Sequence, residues 1–216
     1  MASRFILAFA LGAALCAPAL AAEPGPAQKG PDVPPQLAPK PDWVQPPGEA
    51  QRSGRDRVYN LDTLFEALKM APDAETAKAI ENRIWSVWMV SGSDTCNLLM
   101  GRAKVAAEAK DFDLAVKLLD AVVELKPGYT EGWNRRATMH YLRKDYGNAL
   151  SDIREVLARE PRHFGALAGL GLIMQELGDD KHALEAYRRA LAIDPHLEGI
   201  DDAVKTLSDK VDGRDI

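Results

Sequence analysis

Residues 164–197 read FGALAGLGLIMQELGDDKHALEAYRRALAIDPHL. Two apolar stripes of helical period run through this stretch, the second starting after Asp179 and ending before Pro195. The same features recur upstream at a spacing of 34 residues: Pro127, Pro161 and Pro195; Asp111, Asp145 and Asp179; Ala115, Ala149 and Ala183. Larger apolar residues keep that register, with Leu99, Trp133 and Leu167 in one row and Leu119, Ile153 and Tyr187 in another. A period of this length, recurring without insertion, predicts stacked two-helix units rather than one globular core.

Packing accounts for each row. Small residues at the eighth and twentieth positions (Ala103, Ala137, Gly171; Ala115, Ala149, Ala183) let the two helices of a unit approach closely, and the large apolar rows fill the gap. Each Asp stands where an N-cap is needed, and each Pro ends the second helix because it cannot continue the hydrogen-bond ladder. The units are 96–129, 130–163 and 164–197. Their pattern resembles the tetratricopeptide repeat (TPR) consensus W-x2-L-G-x2-Y…A-x3-F…P. The resemblance implies an all-α solenoid with a concave face used for binding.

Around this array the chain changes character. Residues 60–95 carry Leu61, Leu64, Phe65 and Leu68, then Pro72, then Ala77, Ile80, Ile84, Val87 and Trp88. They are expected to form a helix pair off the register, a degenerate N-terminal repeat or cap. Trp88 is expected in its core, and Trp85 lies beside the stripe. Residues 198–216 hold a single stripe, Ile200, Val204, Leu207 and Val211, with a polar outer face, as a capping helix requires. Residues 22–59 contain nine prolines, a density at which neither helix nor strand persists, and read as a linker. Residues 1–21 place Arg4 before an apolar run and end in Ala19-Leu20-Ala21. That is a signal-peptide pattern with cleavage expected after Ala21. The expected location is the periplasm of a Gram-negative bacterium, with secretion as the alternative. The layout resembles that of small bacterial envelope TPR proteins.

The chain has 216 residues and a net charge of −5. It has no long Lys/Arg run, so it lacks the footprint of a nucleic-acid binder. Removal of residues 1–21 leaves Cys96 alone, so neither an intramolecular disulfide nor a cysteine-based zinc site can form. The histidines, His140, His163, His182 and His196, have no metal-ligand spacing. Gly165, Gly169 and Gly171 lie within a helical pattern rather than after a strand, so a dinucleotide loop is not expected. No cofactor, metal or catalytic set is expected.

The groove remains. By resemblance to TPR proteins, the concave face is lined by Asn97, Met100, Lys104 and Glu108; by Glu131, Asn134, Thr138, Tyr141 and Leu142; and by Leu172, Gln175 and Glu176. Met100, Tyr141, Leu142 and Leu172 would form an apolar strip suited to an amphipathic helix or extended segment. The Lys, Asn and Arg set that holds a terminal carboxylate in chaperone-adaptor TPRs is largely missing, so that ligand class is not implied. Arg102 and Arg136 replace a consensus Leu; snorkelling, or pairing with a nearby acid such as Asp120 or Asp152, is expected over an internal cationic ladder. The reading is a non-enzymatic protein-binding scaffold or adaptor without membrane insertion after cleavage. A self-associating structural protein and an enzyme with an unrecognised site are the alternatives.

Overall fold

A computed structural model describes residues 60–213. The expected signal peptide and linker lie outside the described residues. Within them the chain forms α1 (Leu61–Lys69), α2 (Ala74–Trp88), α3 (Asp94–Glu108), α4 (Phe112–Leu125), α5 (Thr130–Leu142), α6 (Tyr146–Arg159), α7 (Phe164–Glu176), α8 (Asp180–Ile193) and α9 (Ile200–Asp212). No strand occurs among the described residues.

Three helix pairs, α3–α4, α5–α6 and α7–α8, stack in chain order, and α9 closes the last one. The turn inside each pair is built the same way. Lys110, Lys144 and Gly178, again 34 apart, take left-handed backbone with φ of 61°, 60° and 79°. The following Asp sends its N–H back to the carbonyls of Ala106, His140 and Met174 at 2.8–2.9 Å, closing the first helix with a Schellman turn. Its side chain then accepts from the N–H of Leu114, Asn148 or His182 and starts the next helix. Only the third turn uses glycine, which holds this conformation without strain.

Ala115, Ala149 and Ala183 are fully buried. At Gly171 an added Cβ would come within 2.4 Å of the Tyr187 ring, so the row of small residues marks where the paired helices touch. Arg136 is held bidentately by Asp152 (2.9 and 2.8 Å), reaches Asp120 at 2.8 Å and lies over the Trp133 ring. It therefore ties α5 to α4 and α6 rather than facing a ligand. Arg102 is exposed.

The N-terminal pair departs from the expected stacking. It does not extend the array in front of α3. Instead α1 packs against α8, and Leu64, Phe65, Leu68, Ile84 and Trp88 share one core with Phe164 of the third repeat and its neighbours Ile193 and Leu197. Helix α2 thus runs along the turns that join successive repeats. His196 Nε2 lies 3.0 Å from the Ala71 carbonyl, Trp88 stacks on His163, and the Tyr129 hydroxyl donates to the Met89 carbonyl at 3.1 Å. Lys126 Nζ donates to the Ser91 carbonyl beside the first turn. The reason is chemical: the large apolar side chains of α1–α2 find an aromatic surface at Phe164 and His163, whereas α3 offers them only Leu98, Arg102 and Val105 on its outer face.

Candidate functional site

The concave face begins at the N-terminal ends of α5 and α7, and there it is covered. Glu131, in the first turn of α5, is fully buried. Its Oε1 accepts from Asn134 Nδ2 at 3.0 Å and from His163 Nε2 at 2.8 Å; its Oε2 accepts from Arg135 Nε at 3.2 Å. Burial opposes its ionisation, but the bond from His163 and the charges around it win and hold the carboxyl below the usual range. His163 is the N-cap of α7. Its Nδ1 accepts from the Ala166 N–H at 3.0 Å, so the proton sits on Nε2 and is donated to Glu131. The Trp88 ring stacks on this imidazole at 4.1 Å, nearly parallel. Trp85 meets it edge-on at 5.4 Å and takes the Arg135 guanidinium over its face. Gly165 makes room: a Cβ there would lie 2.9 Å from the Trp85 ring.

Three groups expected to line the groove are therefore not surface groups. Glu131 is buried with His163 beside Trp88 of α2, Asn134 is buried and bonded to Glu131, and Met100 belongs to the core with Cys96, Ala103, Leu119 and Tyr129. The expectation assumed an open concave face; the N-terminal pair covers the Glu131 end of it through Trp88 and His163, while Met100 is taken up by its own repeat. Asn97 is exposed but accepts from the Ser91 hydroxyl at 2.6 Å.

The other end stays accessible. Tyr141 and Leu172 are half-buried, and Leu142 and Glu176 are exposed. Tyr141 rests on the core of Ala137, Ala149, Ile153 and Ile173 beside the Tyr146 ring at 6.0 Å. Burial and the nearby Glu176 charge push its phenol up. Gln175 accepts from the Tyr187 hydroxyl at 2.9 Å, and Thr138 donates to the Asn134 carbonyl at 3.0 Å. Lys104 and Glu108 form an exposed ion pair at 3.8 Å. The surface that results is an aromatic and aliphatic patch with amide and charged groups at its edge. Among the described residues no cluster could hold a metal ion, and no helix is long and apolar enough to cross a membrane.

The Glu131–His163–Trp88 arrangement went unread in the sequence. Its one local signal is Gly165, a missing side chain at the position that carries Glu131 one repeat earlier.

Comparison with known proteins agrees with the geometry. The tetratricopeptide repeat family profile matches residues 100–153 and 164–197. A TPR repeat-containing protein of Rhizobium etli is 41% identical over 165 residues, covering 76% of this chain and 81% of that protein. The small glutamine-rich TPR-containing protein 2 of Saccharomyces cerevisiae is 28% identical over 85 residues, 39% of this chain and 25% of its own length. The first TPR domain of Spaghetti (RPAP3), solved with an HSP90 peptide, superposes with a TM-score of 0.53 at 18% identity, covering 56% of this chain and 95% of that one. A crystal structure of MamA gives 0.52 at 16%, covering 70% and 86%. The two solved structures share the fold, and the bacterial relative carries the kinship: this chain belongs to the tetratricopeptide repeat family.

Proposed function

We propose that the protein is a non-enzymatic adaptor of the bacterial cell envelope that takes a peptide or helix of another protein on the accessible end of its concave face. TPR domains are in general protein-interaction modules, and the peptide held by the RPAP3 domain supports a ligand of that class. The observation that carries the reading is the set Tyr141, Leu142 and Leu172, apolar side chains left half-buried or exposed while Glu131 is closed off beside α2. An amphipathic segment would seat apolar anchors there, with Lys104, Gln175 and Glu176 orienting its polar groups. The envelope assignment is supported by the signal-peptide pattern of residues 1–21.

Affinity capture from envelope extract tests both parts. Tyr141→Ala should weaken capture by roughly 2 kcal/mol or more, the usual cost of losing an aromatic anchor. Equal capture by both proteins would end the groove reading. An intact mass that retains Met1 in the exported protein would end the envelope reading.

Self-association is the second reading. Leu98 and Val105, seven residues apart on one face of α3, are 57% and 65% exposed because the N-terminal pair packs elsewhere. A second copy could cover them, and light scattering that finds only monomer at high concentration would remove this reading.

A further inference from the structure

Helix α2 meets the third repeat at a pair of acids. Asp194, the C-cap of α8, is fully buried, and Glu81 of α2 is nearly so. Asp194 Oδ1 accepts from the His196 N–H at 3.1 Å, but its Oδ2 has no hydrogen-bond partner. The group facing it across the interface is the Glu81 carboxyl. Two ionised carboxylates are both acceptors and repel; one proton between them turns one oxygen into a donor and satisfies the other. The surroundings do not supply that donor. Lys78 of α2 binds Glu81 Oε2 at 2.9 Å, and His196 spends Nε2 on the Ala71 carbonyl. Asp73, in the α1–α2 turn, interacts with His196.

We propose that the α1–α2 hairpin is a proton-controlled latch on the groove's turn side, held shut when Asp194 carries a proton that it can donate to Glu81 and loosened when Asp194 ionises. Burial, then the charge of Glu81, push the Asp194 carboxyl up to about 6 from its ordinary 3.8. The shut state thus binds the proton more tightly than the open one. Latching is fully favoured below the ordinary value and weakens as pH rises through about 6. That gap bounds the effect at about a hundred-fold in the open-to-shut ratio. The apolar core around Trp88 and Phe164 remains, so the change is in the frequency of opening, not wholesale release. Glu131, whose carboxyl is held below the usual range, titrates outside this window. That an open latch lengthens the usable groove rests on the function proposed above; the latch equilibrium does not, and it is read without any ligand.

Hydrogen exchange on the full chain, corrected for intrinsic rates, is the test. Between pH 5 and pH 7.5 the protection of residues 74–88 should fall by about ten-fold, the rest of the hundred-fold lying below pH 5, with α3–α6 unchanged. Glu81→Gln, which removes one charge and adds a donor, should flatten the profile and keep α2 protected. Asp194→Asn should do the same while preserving the bond from the His196 N–H. His196→Gln should leave the slope in place. A pH-independent α2 in the native chain overturns the proposal. So does a slope that survives both acid variants, or one abolished only by His196→Gln.

Discussion

The N-terminal hairpin and the repeats are helix pairs of similar size, yet they are held by different kinds of contact. Within the array, partners come from the same unit or the next, and the same small and large positions recur in each. The hairpin is held by pairs such as Arg162–Asp62 and His196–Ala71, 100 and 125 residues apart in the chain. Closure over that distance costs only logarithmically more entropy than a short loop, so one aromatic cluster suffices to redirect the pair. A repeat register therefore specifies its own stacking, but it does not specify where an off-register pair will land.

Trp88→Ala is the strongest way to break the comparison. Removing a buried ring that touches Phe65, His163 and Phe164 should cost about 3–5 kcal/mol. The loss should fall on the hairpin, seen as early exchange of α1–α2 with α3–α6 still protected. Equal loss throughout would make hairpin and array one cooperative unit. Next, Ala149→Leu attacks the array at the close approach of α5 and α6, with an expected cost of about 1–3 kcal/mol in denaturant titration. An unchanged midpoint would mean that the seam is not where the small residues lie. Lys144→Gly tests the shared turn from the other direction. It should relieve the left-handed backbone and stabilise the middle repeat by up to about 1 kcal/mol, measured as a raised Tm. The smallest effect is expected for Asp62→Ala. Its exposed bridge to Arg162 spans 2.6 Å but lies in solvent, so hairpin exchange should change by less than about 1 kcal/mol.

Legibility in the sequence followed the same division. The rows of Ala115, Ala149 and Ala183 and of Asp111, Asp145 and Asp179 marked seams and caps directly, because each side chain acts on its own unit. The helical stripes of α1 and α2 were also readable, and so was the need of Arg136 for acids on neighbouring helices. Of the expected groove lining, exposure was readable only in part. Tyr141, Leu142 and Leu172 reach the surface. Met100, Glu131 and Asn134 do not: Met100 turns into the core of its own repeat, and Glu131, with Asn134 bonded to it, is buried against His163 where α2 arrives from another part of the chain. Trp85 carried the same ambiguity, being amphipathic on its own helix but seated against Gly165 and His163 of a distant one.

By itself, then, the sequence determined the all-α class, the 34-residue period, the Asp helix caps and the close-packed rows, all products of short-range sterics and hydrogen bonding repeated at a fixed period. The tertiary structure alone decided that the N-terminal pair lies along the inter-repeat turns, that Glu131 is buried in a dry site bonded to His163, and that Glu81 meets Asp194. Burial and charge pairing of that kind depend on which surfaces meet, and no period encodes that.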